Sequence, residues 1–323
     1  MSEKNRQVAL AARGASNYLA RRPFCVSFEV TYNCNARCKH CHLGGSAREN
    51  RASPARIGEI ASSLRPVVAQ ISGGEPLLRG DVDEIVRAVR KPGGAPFVVL
   101  TTNGALLTRE RYLRLREAGV DEFSLSLDYP DERHDEFRGI PGLFGRIRDL
   151  AASIRDIPDS GITLSCVIQS DNFRSLEKLA SLAESWNLRM NFSSYTRLRT
   201  HKTEYMIPPG EIPELREILG RLREFKKRNG TVFTSDYVLD RIPEYFTRGE
   251  MAGCRAGERF FVVNPDGTLS PCGLIIRNYT SPKEMRRDFM GSNTCGACYT
   301  SIRANTEKPL RYVVADSLRS LRG

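Results

Sequence analysis

The chain has little of what marks a membrane or secreted protein. No stretch approaches the ~18 unbroken apolar residues of a membrane span, and the opening MSEKNRQVALAARGASNYLARRPF is too polar for a secretory signal. No repeat recurs at a fixed period and no segment is of low complexity. Acidic residues are also short, 38 against 49 Lys and Arg, leaving a net charge of +11. Such a balance suits an anionic partner: nucleic acid, acidic lipid or a polycarboxylate. The bases are spread along the chain among the acids, however, and read as a solvated basic surface with no nucleic-acid signature. At 323 residues the chain can bury one large domain and a smaller one. A cytoplasmic protein is expected.

What the chain does have is nine cysteines. In a reducing compartment they do not build a disulfide framework, so clustered cysteines point to metal. Cys34, Cys38 and Cys41 fall in the run FEVTYNCNARCKHCHLGG. Three thiolates from one short loop can bind three corners of a cubane iron–sulfur cluster and leave the fourth iron open. A CxxC pair alone more often means zinc or redox chemistry. Zinc would need a further ligand, which His40 or His42 could supply, although two histidines flanking Cys41 cannot both turn to one metal. A second group, Cys254, Cys272, Cys295 and Cys298, is a closed four-thiolate set. Such a set fits structural zinc or a fully coordinated cluster. Cys25 and Cys166 lie in apolar strand-like runs and are expected to be small core residues.

Short β-type runs alternate with helix-like segments. Strands are predicted at FCVSFEV (24–30), VVAQIS (67–72), FVVLTTN (97–103), EFSLSLD (122–128), ITLSCVI (162–168) and RMNFSS (189–194). Between them DVDEIVRAVR, TRERYLRLREAG, LFGRIRDLAASIR and NFRSLEKLASLAESWN place apolar residues at helical spacing. This order predicts an α/β fold, a parallel sheet with right-handed crossovers that curl it into a barrel-like arc. PPGEIPELREILGRLREFKKRNG, from Pro208, reads as a connecting helix stopped by Asn229-Gly230. Asn264-Pro265-Asp266-Gly267 then signals a hairpin between Cys254 and Cys272.

In such barrels chemistry gathers at the C-terminal strand ends, where this sequence places its unusual residues. The three-cysteine loop follows the first strand. Ser72-Gly73-Gly74-Glu75-Pro76 follows the second and Thr101-Thr102-Asn103-Gly104 the third. Ser124-Leu125-Ser126-Leu127-Asp128 ends the fourth, with Ser124, Ser126 and Asp128 on one face, and His134, Asp135, Arg138 and Gly139 come next. Singly, each motif could be an ordinary turn or helix cap; their succession after consecutive strands is what carries weight.

The cysteine spacing, with GGEP, TNG, SLD and HDxxRG in this order, resembles the radical S-adenosylmethionine (SAM) superfamily. The resemblance implies a partial (β/α)6 TIM-like barrel. It implies a [4Fe–4S] cluster on Cys34, Cys38 and Cys41 whose open iron chelates the amino and carboxylate groups of SAM. It also assigns SAM contacts. Gly73 and Gly74 would bring backbone close to the ligand, and their carbonyls with Glu75 would take its ammonium. Asn103 belongs to the common TNG turn, Ser126 and Asp128 would meet the ribose and carboxylate, Arg138 would meet the carboxylate, and His40 would lie beside the adenine. Reductive cleavage would give methionine and a 5′-deoxyadenosyl radical that abstracts hydrogen from a small molecule or peptide, with a flavodoxin- or ferredoxin-type electron donor.

Cys254, Gly267 and Cys272 followed by CxxC resemble the opening of the SPASM extension in its shorter Twitch form. That implies a second, auxiliary [4Fe–4S] cluster on Cys254, Cys272, Cys295 and Cys298. The expected organisation is a basic helical extension (1–23), a core barrel (24–205), a helical connector (206–250) and an auxiliary-cluster domain (251–323). Two alternatives stand beside it. VALAARGASNYLARR could lie on a membrane surface and bring the enzyme to lipid or isoprenoid-linked substrates, and the cysteines could form a zinc-binding interaction module without radical chemistry.

Overall fold

The computed structural model describes residues 3–90, 95–309 and 312. Six parallel strands follow one another in chain order: β1 (Cys25–Glu29), β2 (Val68–Ser72), β3 (Phe97–Thr102), β4 (Glu122–Ser126), β5 (Ile162–Ile168) and β6 (Arg189–Ser194). Helices α2 (Pro54–Leu64), α3 (Val82–Val89), α4 (Arg109–Ala118), α5 (Arg133–Arg138) with α6 (Leu143–Ser153), and α7 (Leu176–Ser185) make the crossovers. Alternate strand residues such as Val26, Ile71, Leu100 and Leu125 are fully buried beneath the helices. The other face is polar, and its hydroxyls and amides pair along the barrel interior: Ser27 with Ser72 (2.7 Å), Gln70 with Thr101 (3.0 Å), Ser124 with Ser165 (2.9 Å). Period-2 alternation therefore separates an apolar seam under the helices from a hydrogen-bonding lumen.

Every strand predicted from sequence is present, with ends moved by no more than a residue or two. Helix α2 has no counterpart among the predicted helices, although Ser53 caps it through the Arg56 amide and Pro54 opens it. The connector forms α8 (Ile212–Asn229), ended by Gly230 in the left-handed region. A further helix, α9 (Asp236–Arg248), follows it.

The predicted hairpin forms from β7 (Phe260–Val263) and β8 (Leu269–Ser270), but it is not set apart from the barrel. β7 pairs in parallel with β1, so the sheet runs β6-β5-β4-β3-β2-β1-β7-β8. Two short helices, α10 (Pro282–Asp288) and α11 (Ser301–Thr306), complete the C-terminal part.

The N-terminal helix α1 (Glu3–Leu19) lies against the opposite end of the barrel from the motif-bearing loops. Asn17, 1% exposed, donates to the carbonyls of Pro23 (2.7 Å) and Arg65 (2.8 Å), just ahead of β1 and β2. Arg6 pairs with Asp121 ahead of β4 and stacks over Phe97, which starts β3. The charged side of the helix is thus partly spent on the protein. No helix among the described residues is long and apolar enough to cross a membrane.

Candidate functional site

All the motif-bearing loops converge at the C-terminal ends of β1 to β6, and the three-cysteine loop is held among them by backbone. Cys34 and Gly45 exchange two hydrogen bonds of 3.0 Å, closing the loop at its base. The amides of Arg37 and Lys39 donate to the carbonyls of Arg138 (2.9 Å) and Phe137 (3.0 Å), docking its middle on α5. Glu49 gathers the entry segment, accepting from Thr31 Oγ1 (2.5 Å), the Tyr32 amide (2.6 Å) and Asn33 Nδ2 (3.3 Å). The three sulfurs lie within electrostatic reach of one another. Each meets a donor: the Ala36 amide at Cys34 (3.4 Å), Arg138 Nη1 at Cys38 (3.6 Å) and Arg199 Nη1 at Cys41 (3.7 Å). Burial pushes the Cys34 thiol up to about 11 and raises Cys38, against the opposing pull of Arg138 on the latter. Half-buried sulfurs met by amide and guanidinium donors suit ligands whose protons leave when metal binds. The donor set therefore fits a cluster bound through three thiolates.

The glycines of GGEP approach the backbone of the cysteine loop closely. A Cβ at Gly73 would lie 2.2 Å from the Thr31 carbonyl oxygen, and one at Gly74 2.2 Å from that of Asn33. The absence of a side chain lets the loop after β2 lie directly on the entry to the cysteine loop, joined by Gly74 N to Thr31 O (2.7 Å) and Glu75 N to Asn33 O (2.8 Å).

Glu75 and Asp128 are both buried and hydrogen-bonded within the protein. Glu75 is 1% exposed, and its carboxylate accepts from the Leu77 amide (3.1 Å), Thr102 Oγ1 (2.7 Å) and the Asn103 amide (2.8 Å). It clamps the second loop to the third. Asp128 is 0% exposed; Oδ2 accepts from Arg138 Nε (2.8 Å) and Oδ1 from the Val167 amide (3.0 Å). It orients Arg138.

Asn103 bridges to the cysteine loop through Asn35 Oδ1 (2.8 Å). Ser126 is half-buried on the lumen side, in register with Ser165. His40 is buried with its ring stacked on Phe137 at 4.8 Å, so one ring face is taken by protein, while its Nδ1 is buried without a partner. Burial holds His40 well below the ordinary histidine value, and His134, whose Nδ1 accepts from the Asp128 amide (3.2 Å), falls to about 3. Both are neutral near pH 7.

Two charged residues at this mouth carry no motif signal. Glu29 ends β1, and among the described residues no hydrogen bond or ion pair engages its carboxylate. Burial raises it to about 7 against the attraction of Arg199. Arg199 follows β6 in TRLRT, where nothing in the spacing marks it.

The second cysteine group lies beside the same mouth. Cys254, Cys272, Cys295 and Cys298 fall within one electrostatic neighbourhood as free thiols. Burial pushes Cys254 up to about 11 and Cys272 up to about 12. The CxxC turn is tied to the end of β6 by Thr196 Oγ1 to the Ala297 carbonyl (3.0 Å), and Asn293 bridges it to the Cys254 carbonyl (2.8 Å). Gly273 packs on Glu29, where a Cβ would come 2.7 Å from Oε1.

Among the described residues no set of three or more His, Cys, Asp or Glu converges as ligands of a single ion would. A cubane asks for less, since each thiolate goes to a different iron, whereas tetrahedral zinc gathers four donors about one point. His42 is exposed. Cys25 and Cys166 are buried core residues, as expected.

A family model for the radical SAM superfamily matches residues 28–183. An AdoMet-dependent heme synthase of Methanosarcina barkeri is 36% identical over 292 residues, covering 80% of this chain and 78% of that protein. A PqqA peptide cyclase of Ruegeria pomeroyi is 30% identical over 264 residues, covering 77% of this chain and 67% of that one. Streptococcus suis SuiB bound to S-adenosylmethionine superposes with a TM-score of 0.63 at 18% identity, over 94% of this chain and 71% of that one.

Proposed function

The chain belongs to the radical SAM superfamily, and from that premise we propose that Cys34, Cys38 and Cys41 hold its [4Fe–4S] cluster and that a second cluster sits on Cys254, Cys272, Cys295 and Cys298. The observation that carries this reading is the closed, docked loop that offers three half-buried sulfurs at the mouth of the barrel. When bound, cluster and SAM supply one-electron reductive cleavage and a hydrogen-abstracting radical.

The protein's own part is to place and shield. Arg138, fixed by Asp128, and Arg199 direct guanidinium donors to Cys38 and Cys41. Such hydrogen bonds and charge tune a cluster. Gly73, Gly74, Glu75 and Asn103 hold three loops in one mutual arrangement, and Ser126 faces the space they enclose. His40 keeps Nδ1 buried without a partner, a polar atom free to serve bound SAM.

The substrate is a small molecule or a residue of a peptide, the classes named for the heme synthase and the peptide cyclase. The hydroxyl- and amide-lined lumen supports a polar one. The closed four-thiolate set supports a role in electron transfer in preference to substrate binding, with a flavodoxin- or ferredoxin-type protein supplying electrons to the first cluster.

The test is anaerobic reconstitution with iron and sulfide, then SAM and dithionite. The wild-type chain is expected to release 5′-deoxyadenosine, and Cys34→Ala, Cys38→Ala and Cys41→Ala to lower it to background. Continued release by any of the three would falsify the assignment of the first cluster. Zinc recovered in place of iron at both sites favours the interaction-module alternative.

A further inference from the structure

Arg303 is 1% exposed, and no other fully buried side chain in the described residues is larger. It is the third residue of α11, just past the CxxC turn. Nη1 donates to the Cys298 carbonyl (2.5 Å), while Nη2 donates to those of Met251 (2.6 Å) and Ala252 (3.1 Å). Nε meets Glu307 Oε2 at 3.0 Å. One planar guanidinium thus joins the segment that ends in Cys254 to the turn that carries Cys295 and Cys298. It also lies within electrostatic range of the Cys254 and Cys298 sulfurs. Glu307 offsets it from the outer side, its other oxygen accepting from the Arg255 amide (2.6 Å).

A cation buried in a cysteine pocket has no reason in packing alone. Taking an arginine out of water is costly unless its donors are all used and an opposite charge is near. Here Nη1 and Nη2 are used on the backbone of the two segments that carry three of the four thiols, and Nε on Glu307, which supplies only one negative charge. A four-thiolate cluster adds net negative charge beside the guanidinium, and gains a further negative charge when reduced. In a medium of low dielectric that favours the reduced form.

We propose that Arg303 is the positioning residue of the second cysteine site and that its charge sets the reduction potential of the cluster there. This rests on the second-cluster reading above. Removing the charge lowers the potential, and removing its counter-charge raises it. Lysine keeps the charge but cannot fork to three carbonyls, so it restores the potential without restoring the clamp.

The experiment uses the full chain with Cys34, Cys38 and Cys41 all replaced by Ala, reconstituted anaerobically so that only the second site is loaded. In that background Arg303→Met, Arg303→Lys and Glu307→Gln are titrated by electron paramagnetic resonance against a series of applied potentials, and iron loss to a chelator is timed. The expected result is a lower midpoint and faster iron loss for Arg303→Met. Arg303→Lys should show a midpoint near the parent with iron loss still fast, and Glu307→Gln a higher midpoint. An unchanged midpoint in Arg303→Met, or shifts of the same sign in Arg303→Met and Glu307→Gln, overturns the proposal. If circular dichroism shows that Arg303→Met does not fold, Glu307→Gln decides alone, and an unmoved midpoint is fatal. A parent chain without iron and sulfide removes the second-cluster reading itself, an outcome visible from metal analysis before any variant is made.

Discussion

Glu29 shows how much a single side chain at the mouth can reveal. Its carboxyl is raised from 4.5 to about 7 by burial, with Arg199 opposing and Tyr32 and Gly273 close by. A carboxyl whose folded value exceeds its unfolded one holds an extra proton in the folded state between the two values. Stability therefore falls as pH rises from about 4.5 to about 7, and the full cost stands above that. Glu29→Gln has no such cost. It should gain on the order of 1–3 kcal/mol over wild type at pH 8 and almost nothing at pH 4.5. Urea unfolding at the two pH values gives the answer; an equal gain at both points to packing and not to charge.

Spacing made the grouping of the cysteines and the turn motifs legible at this scale. It did not make partners legible. The residues that donate to Glu75 and Asp128, Thr102 and the Val167 amide, lie loops away in sequence. Arg199, Glu49 and Arg303 carry no motif, and one charged residue alone has no spacing to recognise.

The elements were legible because alternation and helical periodicity agree along the chain. β5 and β6 fall on the predicted bounds, since runs such as ITLSCVI admit no second register without burying polar residues. Helix α2 escaped because its apolar residues are few and separated by Arg56, Glu59 and a serine pair; its Ser-Pro start was the available signal. Loop-to-loop contacts are invisible to periodicity, and the GGEP turn is where this matters.

Gly74→Ala sets a Cβ 2.2 Å from the Asn33 carbonyl oxygen, backbone that cannot swing aside. It should cost about 2–4 kcal/mol and impair cluster retention by the loop beneath it. Gly80, a few residues on, has nothing within 4 Å of the added carbon. Gly80→Ala should stay within about 0.5 kcal/mol of wild type. Denaturant midpoints and iron content of the two variants, measured side by side, separate the site effect from a general intolerance of substitution; equal losses in both sink the contact argument.

For the molecule as a whole, the sequence suggested a barrel followed by a separate cluster domain. Hairpin signals are local, and nothing in RFFVVNPDGTLSPCGL says that its first arm pairs with β1. Because it does, the two cysteine sites share one sheet, and the C-terminal part cannot melt away without exposing a barrel edge. Removing iron from the fully loaded protein should therefore lower the unfolding temperature of the chain in a single transition, seen alike by circular dichroism and by fluorescence of Trp186 on α7's C-cap. Two resolved transitions, the lower one confined to residues after the connector, refute this coupling.

The same pairing fixes an order of events at the ribosome. β1 is made long before β7, with β2 to β6 between them, so the β1 edge stays without one of its two neighbours until all of those strands have emerged. A parallel strand edge waiting that long is a template for wrong partners, and contacts so distant along the chain form slowly. The barrel can curl early from β1 to β6, but the pairing of β1 with β7 waits for the segment after α9, and the three-cysteine loop at the tip of β1 takes its final setting only then.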